Sequence, residues 1–321
     1  MKIFQEEGLP MSLLMVVALS CLAGICFAGI GISYKAGESL NIRPMQSFCF
    51  ASAFGCLFFI LCGWNTFGEA PWYFFAAAFG GGFTQFLVVW LLQKLLKIGP
   101  LSPAWSSLML SFVVVIIFSS IFLHEPFDGW NLAALAAALL AVLSAASGNA
   151  SGVRGNSDSG GGCTPRLGRR FIYGGLLVVL LLTNSALGCS MKLLGSLRTA
   201  DGLPLMERCA SLYLGVMYAG IALPLAVSLF KMRGWNLSSG WKWAVLAALA
   251  TAGTMGGMLL QAFLLSYPAA LYFTCSSSAS VLFAAVFSVL LFHEKRTVWW
   301  YGTVSFTLAA IFLSNGGAFF D

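Results

Sequence analysis

Apolar residues in this chain come in near-continuous runs broken by short polar stretches, and they do not alternate every second position. Ten runs stand out, over 13–33, 45–63, 72–92, 101–123 and 130–147, and then 171–191, 205–229, 241–265, 269–292 and 299–316. Wound as helices at 1.5 Å per residue, runs of this length cross a hydrocarbon core of about 30 Å. A run apolar on all sides is a helix in lipid or deep in a bundle, because in hydrocarbon the backbone must satisfy its own hydrogen bonds. Tryptophans mark many of the proposed ends, among them Trp64, Trp72, Trp130, Trp235, Trp241, Trp243, Trp299 and Trp300. Such amphipathic rings settle at headgroup depth. The pattern predicts an all-α polytopic membrane protein of about ten transmembrane helices.

The runs repeat. Phe118-Ser119 leads to Leu123-His124-Glu125 at the end of the fourth, and Phe287-Ser288 leads to Phe292-His293-Glu294 at the end of the ninth. Ser107 and Ser111 match Ser276 and Ser280 at that same offset. Gln93 and Pro100 match Gln261 and Pro268 after a one-residue gap, and Gly31-x-Ser33-x-Lys35 matches Gly188-x-Ser190-x-Lys192. Their common order along both halves divides the chain into a five-helix unit over 1–147, a flexible basic Gly/Ser-rich linker over 148–170, and a second five-helix unit over 171–321. Five spans is an odd number, so the second unit enters the membrane with opposite polarity and the two form inverted repeats.

Composition agrees. Hydrophobic residues are 59% and charged residues 9% of the chain, with a mean hydropathy of +0.89; a soluble domain carries about 25% charged residues. The first run is too long for the apolar core of a cleaved signal, so it reads as a span. Of the nine cysteines, Cys163 alone falls in a clear loop, which suggests packing and neither a disulfide framework nor a metal site. The formal charge of +6 is spread over short loops, which argues for orientation in the bilayer and against nucleic acid. All seventeen Lys and Arg except Lys2, Lys192, Arg198 and Arg208 fall on the face of the odd-numbered loops. The positive-inside rule places that face in the cytoplasm and both termini outside it.

Ten spans in two halves, with Leu123-His124-Glu125-Pro126 before 130–148 and Phe292-His293-Glu294-Lys295 before 299–317, resemble the drug/metabolite transporter superfamily, its EamA-type branch above all. Lys35 and Lys192 at their span ends fit the same pattern. The resemblance implies a central cavity between the halves, alternating access, and small organic solutes as cargo. The expected setting is a bacterial inner membrane, with the chain acting as a monomer or homodimer. Small multidrug-resistance relatives couple to protons through a Glu deep in the first span; here 13–33 holds no acid, so that route is not expected.

Polar groups inside apolar runs mark where a solute would be held. Tyr272, Thr274, Ser276, Ser277 and Ser280 open the ninth span, and Trp105, Ser107 and Ser111 stand at its counterpart in the fourth. Hydroxyls at i and i+4 share a helix face; they either line a pathway or let helices approach and bond their own backbone. Gln85, Gln93 and Gln261 offer amides that bond a solute or a neighbouring helix. Arg208 is the most embedded charge, suited to a carboxylate or phosphate or to a structural pair. Lys35 and Lys192 either attract an anion at the two mouths or extend to the interface. The two His-Glu pairs read as junctions whose carboxylates accept N–H groups at the start of the following helix.

The reading is therefore a secondary active or facilitative transporter, an exporter of amino acids or related metabolites. A cationic-drug efflux protein is the alternative, followed by a sugar or nucleotide-sugar carrier. An intramembrane enzyme is remote, because both histidines lie at span ends and no acidic pair lies within a span. No cofactor or metal is expected, and the partners are the solute and the bilayer.

Overall fold

A computed structural model describes residues 13–39, 44–98, 101–125, 127–150, 166–198, 205–231, 240–292 and 298–313. Each apolar run is a helix: α1 (Leu13–Ser39), α2 (Pro44–Gly63), α3 (Trp72–Ile98), α4 (Leu101–Phe122), α5 (Gly129–Ala150), α6 (Arg166–Ser196), α7 (Leu205–Lys231), α8 (Gly240–Leu264), α9 (Ala269–Phe292) and α10 (Val298–Leu313). Among the described residues, seven hold spans long and apolar enough to cross a membrane. Shorter apolar stretches lie at Ser107–Phe122 in α4, Gly129–Ser144 in α5 and Val298–Leu313 in α10. The outward faces carry large apolar side chains, such as Trp72 and Val298, that water would not tolerate in such number. The protein is an all-α integral membrane protein.

Several helices outrun their apolar runs, because polar residues continue a helix once it has left the hydrocarbon. Of the stretch 148–170, α5 reaches Ala150 and α6 begins at Arg166, while 151–165 lie outside the described residues.

α2 packs on α7 and α5 on α10, while α1 lies against α8 and α9 and α6 lies against α3 and α4. Glycines set the closest crossings. A β-carbon on Gly253 of α8 would stand 2.7 Å from the Cys26 carbonyl oxygen of α1, and one on Gly220 of α7 would stand 2.5 Å from that of Phe79 in α3. Aromatic rings fill the interior beside them: Phe59 stacks on Tyr218 at 5.9 Å, and Phe74 meets Tyr213 edge-on at 5.7 Å. Some buried hydroxyls bond their own helix, as Ser20 donates to the Val16 carbonyl and Thr254 to that of Ala250. Within α7, Cys209 leaves helical geometry (φ −108°, ψ 15°) and Pro224 removes a backbone donor, so this helix is kinked and not a straight rod.

Candidate functional site

Seven helices surround a cavity of about 150 Å³. Phe27, Ile30 and Tyr34 of α1, Phe48 of α2, Val88 and Val89 of α3, Phe112 and Val115 of α4 and Met258 of α8 make it predominantly apolar. Its polar groups are few and placed around the wall: Gln85, Ser111, Asn184, Thr254, Gln261, Tyr272, Ser276, Ser277 and Ser280. No charged side chain occurs among the described lining residues.

Of the residues singled out from the sequence, Gln85, Ser111, Gln261, Tyr272, Ser276, Ser277 and Ser280 come together here. The Oε1 of Gln85 and the Oγ of Ser280 are buried without a hydrogen-bond partner at bonding distance, whereas the Tyr272 hydroxyl faces the Gln261 side chain. Leaving such groups unpaired in an apolar wall costs about 1–3 kcal/mol each, which a ligand or a water would recover. Ser111 donates to the Leu108 carbonyl at 2.6 Å and accepts from Nδ2 of Asn184 at 2.6 Å; the same amide reaches the Leu108 carbonyl at 3.1 Å.

The others lie elsewhere. Ser107 is buried and donates to the Leu177 carbonyl at 2.8 Å, so it joins α4 to α6. Thr274 is buried away from the cavity and Gln93 is half-buried near the end of α3; neither lines the wall. Arg208 is exposed, its Nε 2.6 Å from Oε2 and its Nη2 3.2 Å from Oε1 of Glu69, a forked ion pair between α7 and the α2–α3 connection. The side chains of Trp105, Lys35 and Glu207, and residues His293 and Glu294, lie outside those described.

Two residues behave differently from their expected roles. Lys192 neither extends to the interface nor stands open to an anion: it is 1% exposed. Its Nζ lies 2.5 Å from Oε1 of Glu125 and donates to the carbonyls of Leu265, at 2.8 Å, and Tyr267. Glu125 does cap a helix, but not the following one. Its Oε2 accepts the Ala269 N–H at 2.7 Å at the start of α9, whereas α5 is capped by Asp128, whose Oδ1 accepts the Asn131 N–H at 2.7 Å.

Sequence reasoning passed over Asn184, Tyr34 and Phe27. Asn184 is a lone carboxamide in the sixth run, and it has no polar counterpart in the first. At the offset relating Lys35 to Lys192 its counterpart is Phe27, so one wall carries an amide where the other carries a ring.

No family model matches the chain, and no curated protein matches it. It is similar to a solved structure described as "Crystal structure of protein", with a TM-score of 0.71 over 94% of this chain and 97% of that chain at 13% identity. At that identity the likeness shows a shared fold alone.

Proposed function

We infer that this chain is a secondary transporter of small organic solutes, built as two inverted five-helix units and similar to the EamA-type drug/metabolite transporters. The observation that carries the reading is the central cavity, walled by α1 to α4 of the first unit and by α6, α8 and α9 of the second. A cavity between two repeats at mid-membrane depth is where an alternating-access carrier holds its cargo. The mutual packing of α2 with α7 and of α5 with α10 supports the inverted arrangement, as does the correspondence of α1 on α9 with α6 on α4.

The lining favours the solute class. Amides from Gln85, Asn184 and Gln261 and hydroxyls from Tyr272 and four serines present donors and acceptors, while Phe27, Tyr34, Phe48 and Phe112 present apolar faces. The described wall holds no carboxylate to neutralise a cationic drug and no free ammonium to balance a phosphate. A neutral or zwitterionic metabolite with an apolar side group, such as an amino acid, fits best.

Uptake and counterflow in proteoliposomes against a mixed metabolite panel, with and without a pH gradient, tests this. At least one amino-acid-like solute is expected to move, and Ser277→Leu is expected to lower its flux about tenfold or more by filling the wall. Failure of every solute under every gradient would sink the reading.

A further inference from the structure

The hydrogen-bonding groups of the cavity are not spread evenly along it. α1 and α8 run antiparallel past each other: Gly29 and Ile30 face Leu249 and Gly253, and the Phe27 ring faces Gly257. Gln261 lies eight residues beyond Gly253, about 12 Å towards the turn that joins α8 to α9. Tyr34 lies four residues beyond Ile30, about 6 Å in the opposite direction. Both line the cavity, so they mark its two ends.

The end beside the turn is polar. There Gln261 faces the Tyr272 hydroxyl, and Ser276 and Ser277 follow Tyr272 by about one helical turn. Ser276 and Ser280 pack at Gly24, which precedes Ile30 by six residues on the same side. Gln85 Oε1 and Ser280 Oγ have no partner, whereas Thr254 donates to the Ala250 carbonyl and Asn184 donates to Ser111. Apart from the Tyr34 hydroxyl, the described residues of the other end are apolar. Gly195 of α6 packs at Leu265 of the turn, the Leu205 N–H closes the α6–α7 corner on the Leu197 carbonyl, and Arg208 just beyond pairs with Glu69 ahead of α3. α3 therefore starts on the side of the turn, and its wall residues lead away from it, from Gln85 to Val88, Val89 and Leu92. Phe48 of α2 joins them, its ring centroid 6.5 Å from that of Tyr34.

A solute with one polar and one apolar part fits such a cavity in a single orientation. Its hydrogen-bonding head finds carboxamide and hydroxyl groups beside the turn, and its apolar part extends along α1 among rings and branched side chains. Turned end for end, it would strand the head among apolar groups and leave the polar wall unsatisfied. The apolar end also sets a length. Each methylene that fits there is removed from water, and one too many meets the Tyr34 and Phe48 rings. A small polar solute leaves that end unfilled.

We propose that the cavity reads its solute at two separate subsites, a head subsite at Gln261, Tyr272, Ser276 and Ser277 and a tail subsite at Tyr34, Phe48, Val88 and Leu92, and so selects amphipathic solutes with a long apolar chain over small polar ones. The solute class rests on the transporter reading, but the test is binding and needs no transport. Two straight-chain series serve as probes: zwitterionic L-α-amino acids from alanine to norleucine and its longer homologues, and uncharged primary amides from acetamide to octanamide. Their affinities are measured by calorimetry on the protein in nanodiscs, with the heat of empty nanodiscs subtracted. In at least one series, affinity is expected to rise about fourfold per added methylene and then to fall once the chain outgrows the tail subsite. Tyr34→Ala is expected to move the maximum to a longer chain; Val88→Ala moves it by less and serves if the first variant does not fold. Gln261→Met/Tyr272→Phe removes hydrogen-bonding groups from the head subsite, and is expected to weaken every member about tenfold without moving the maximum. Binding of no member, affinity indifferent to chain length, or a maximum left in place by both Tyr34→Ala and Val88→Ala at parental melting overturns the two subsites. Length-dependent binding by a protein that moves none of the probes in proteoliposomes keeps the subsites and removes the transporter reading. Transport indifferent to chain length does the converse.

Discussion

His124 holds φ at 53°, in the left-handed region where a β-carbon crowds the following carbonyl. The side chain is exposed, so the conformation is imposed by the turn and not by a contact of the ring. There α4 ends with the Leu123 and Glu125 N–H groups both on the Ser119 carbonyl, at 3.0 and 3.3 Å, and the chain swings so that Glu125 reaches Lys192. Glycine adopts this φ freely, whereas a β-branched residue does not. His124→Gly is expected to raise stability by about 1 kcal/mol and His124→Val to lower it by a similar amount or more. Thermal melting of the purified protein in detergent checks both, and equal melting of the two variants would show the turn to be unstrained. The motif was legible in the sequence because it occurs twice; its use was not. Glu125 serves α9 and Lys192, residues of the other half of the chain, and their meeting depends on how α4 is set against α6. No local pattern encodes that register.

Helices are the scale at which the sequence was most readable, since hydrocarbon thickness imposes both their length and their uniform apolarity. Their contacts were less so, because lipid-facing and core-facing residues are equally apolar and the runs lack a polar stripe to orient them. Glycine supplies part of the missing information. Gly220 faces the Phe79 backbone, which cannot move aside, whereas Gly175 of α6 has open space around it. Gly220→Ala is expected to cost about 1–3 kcal/mol by forcing α7 away from α3. Gly175→Ala, by helix propensity, is expected to be neutral or to stabilise by up to about 1 kcal/mol. Melting temperature and the monodisperse fraction after size exclusion compare the pair; similar values for both variants would mean that the α3–α7 crossing tolerates separation.

At the scale of the whole molecule, the arrangement of basic residues relates the chain to its bilayer. The positive-inside count applies to loops as helices enter the membrane. Lys192 was placed on the minority face, yet it lies inside α6, buried against Glu125, and so leaves the loop count on that face. Arg208 remains there, paired with Glu69 at the start of α7. Lys94, Lys231 and Lys242, exposed near the ends of α3, α7 and α8, belong to the opposite face together with the basic stretch leading into α6. The asymmetry is therefore sharper in the folded protein than in the raw sequence, and it predicts that segment 151–165 is cytoplasmic and segment 199–204 is not. An epitope inserted in 151–165 of the chain expressed in bacterial cells should be reached by antibody only after the inner membrane is opened. The same epitope in 199–204 should be reached once the outer barrier alone is breached. The reverse pattern would invert the molecule in the membrane.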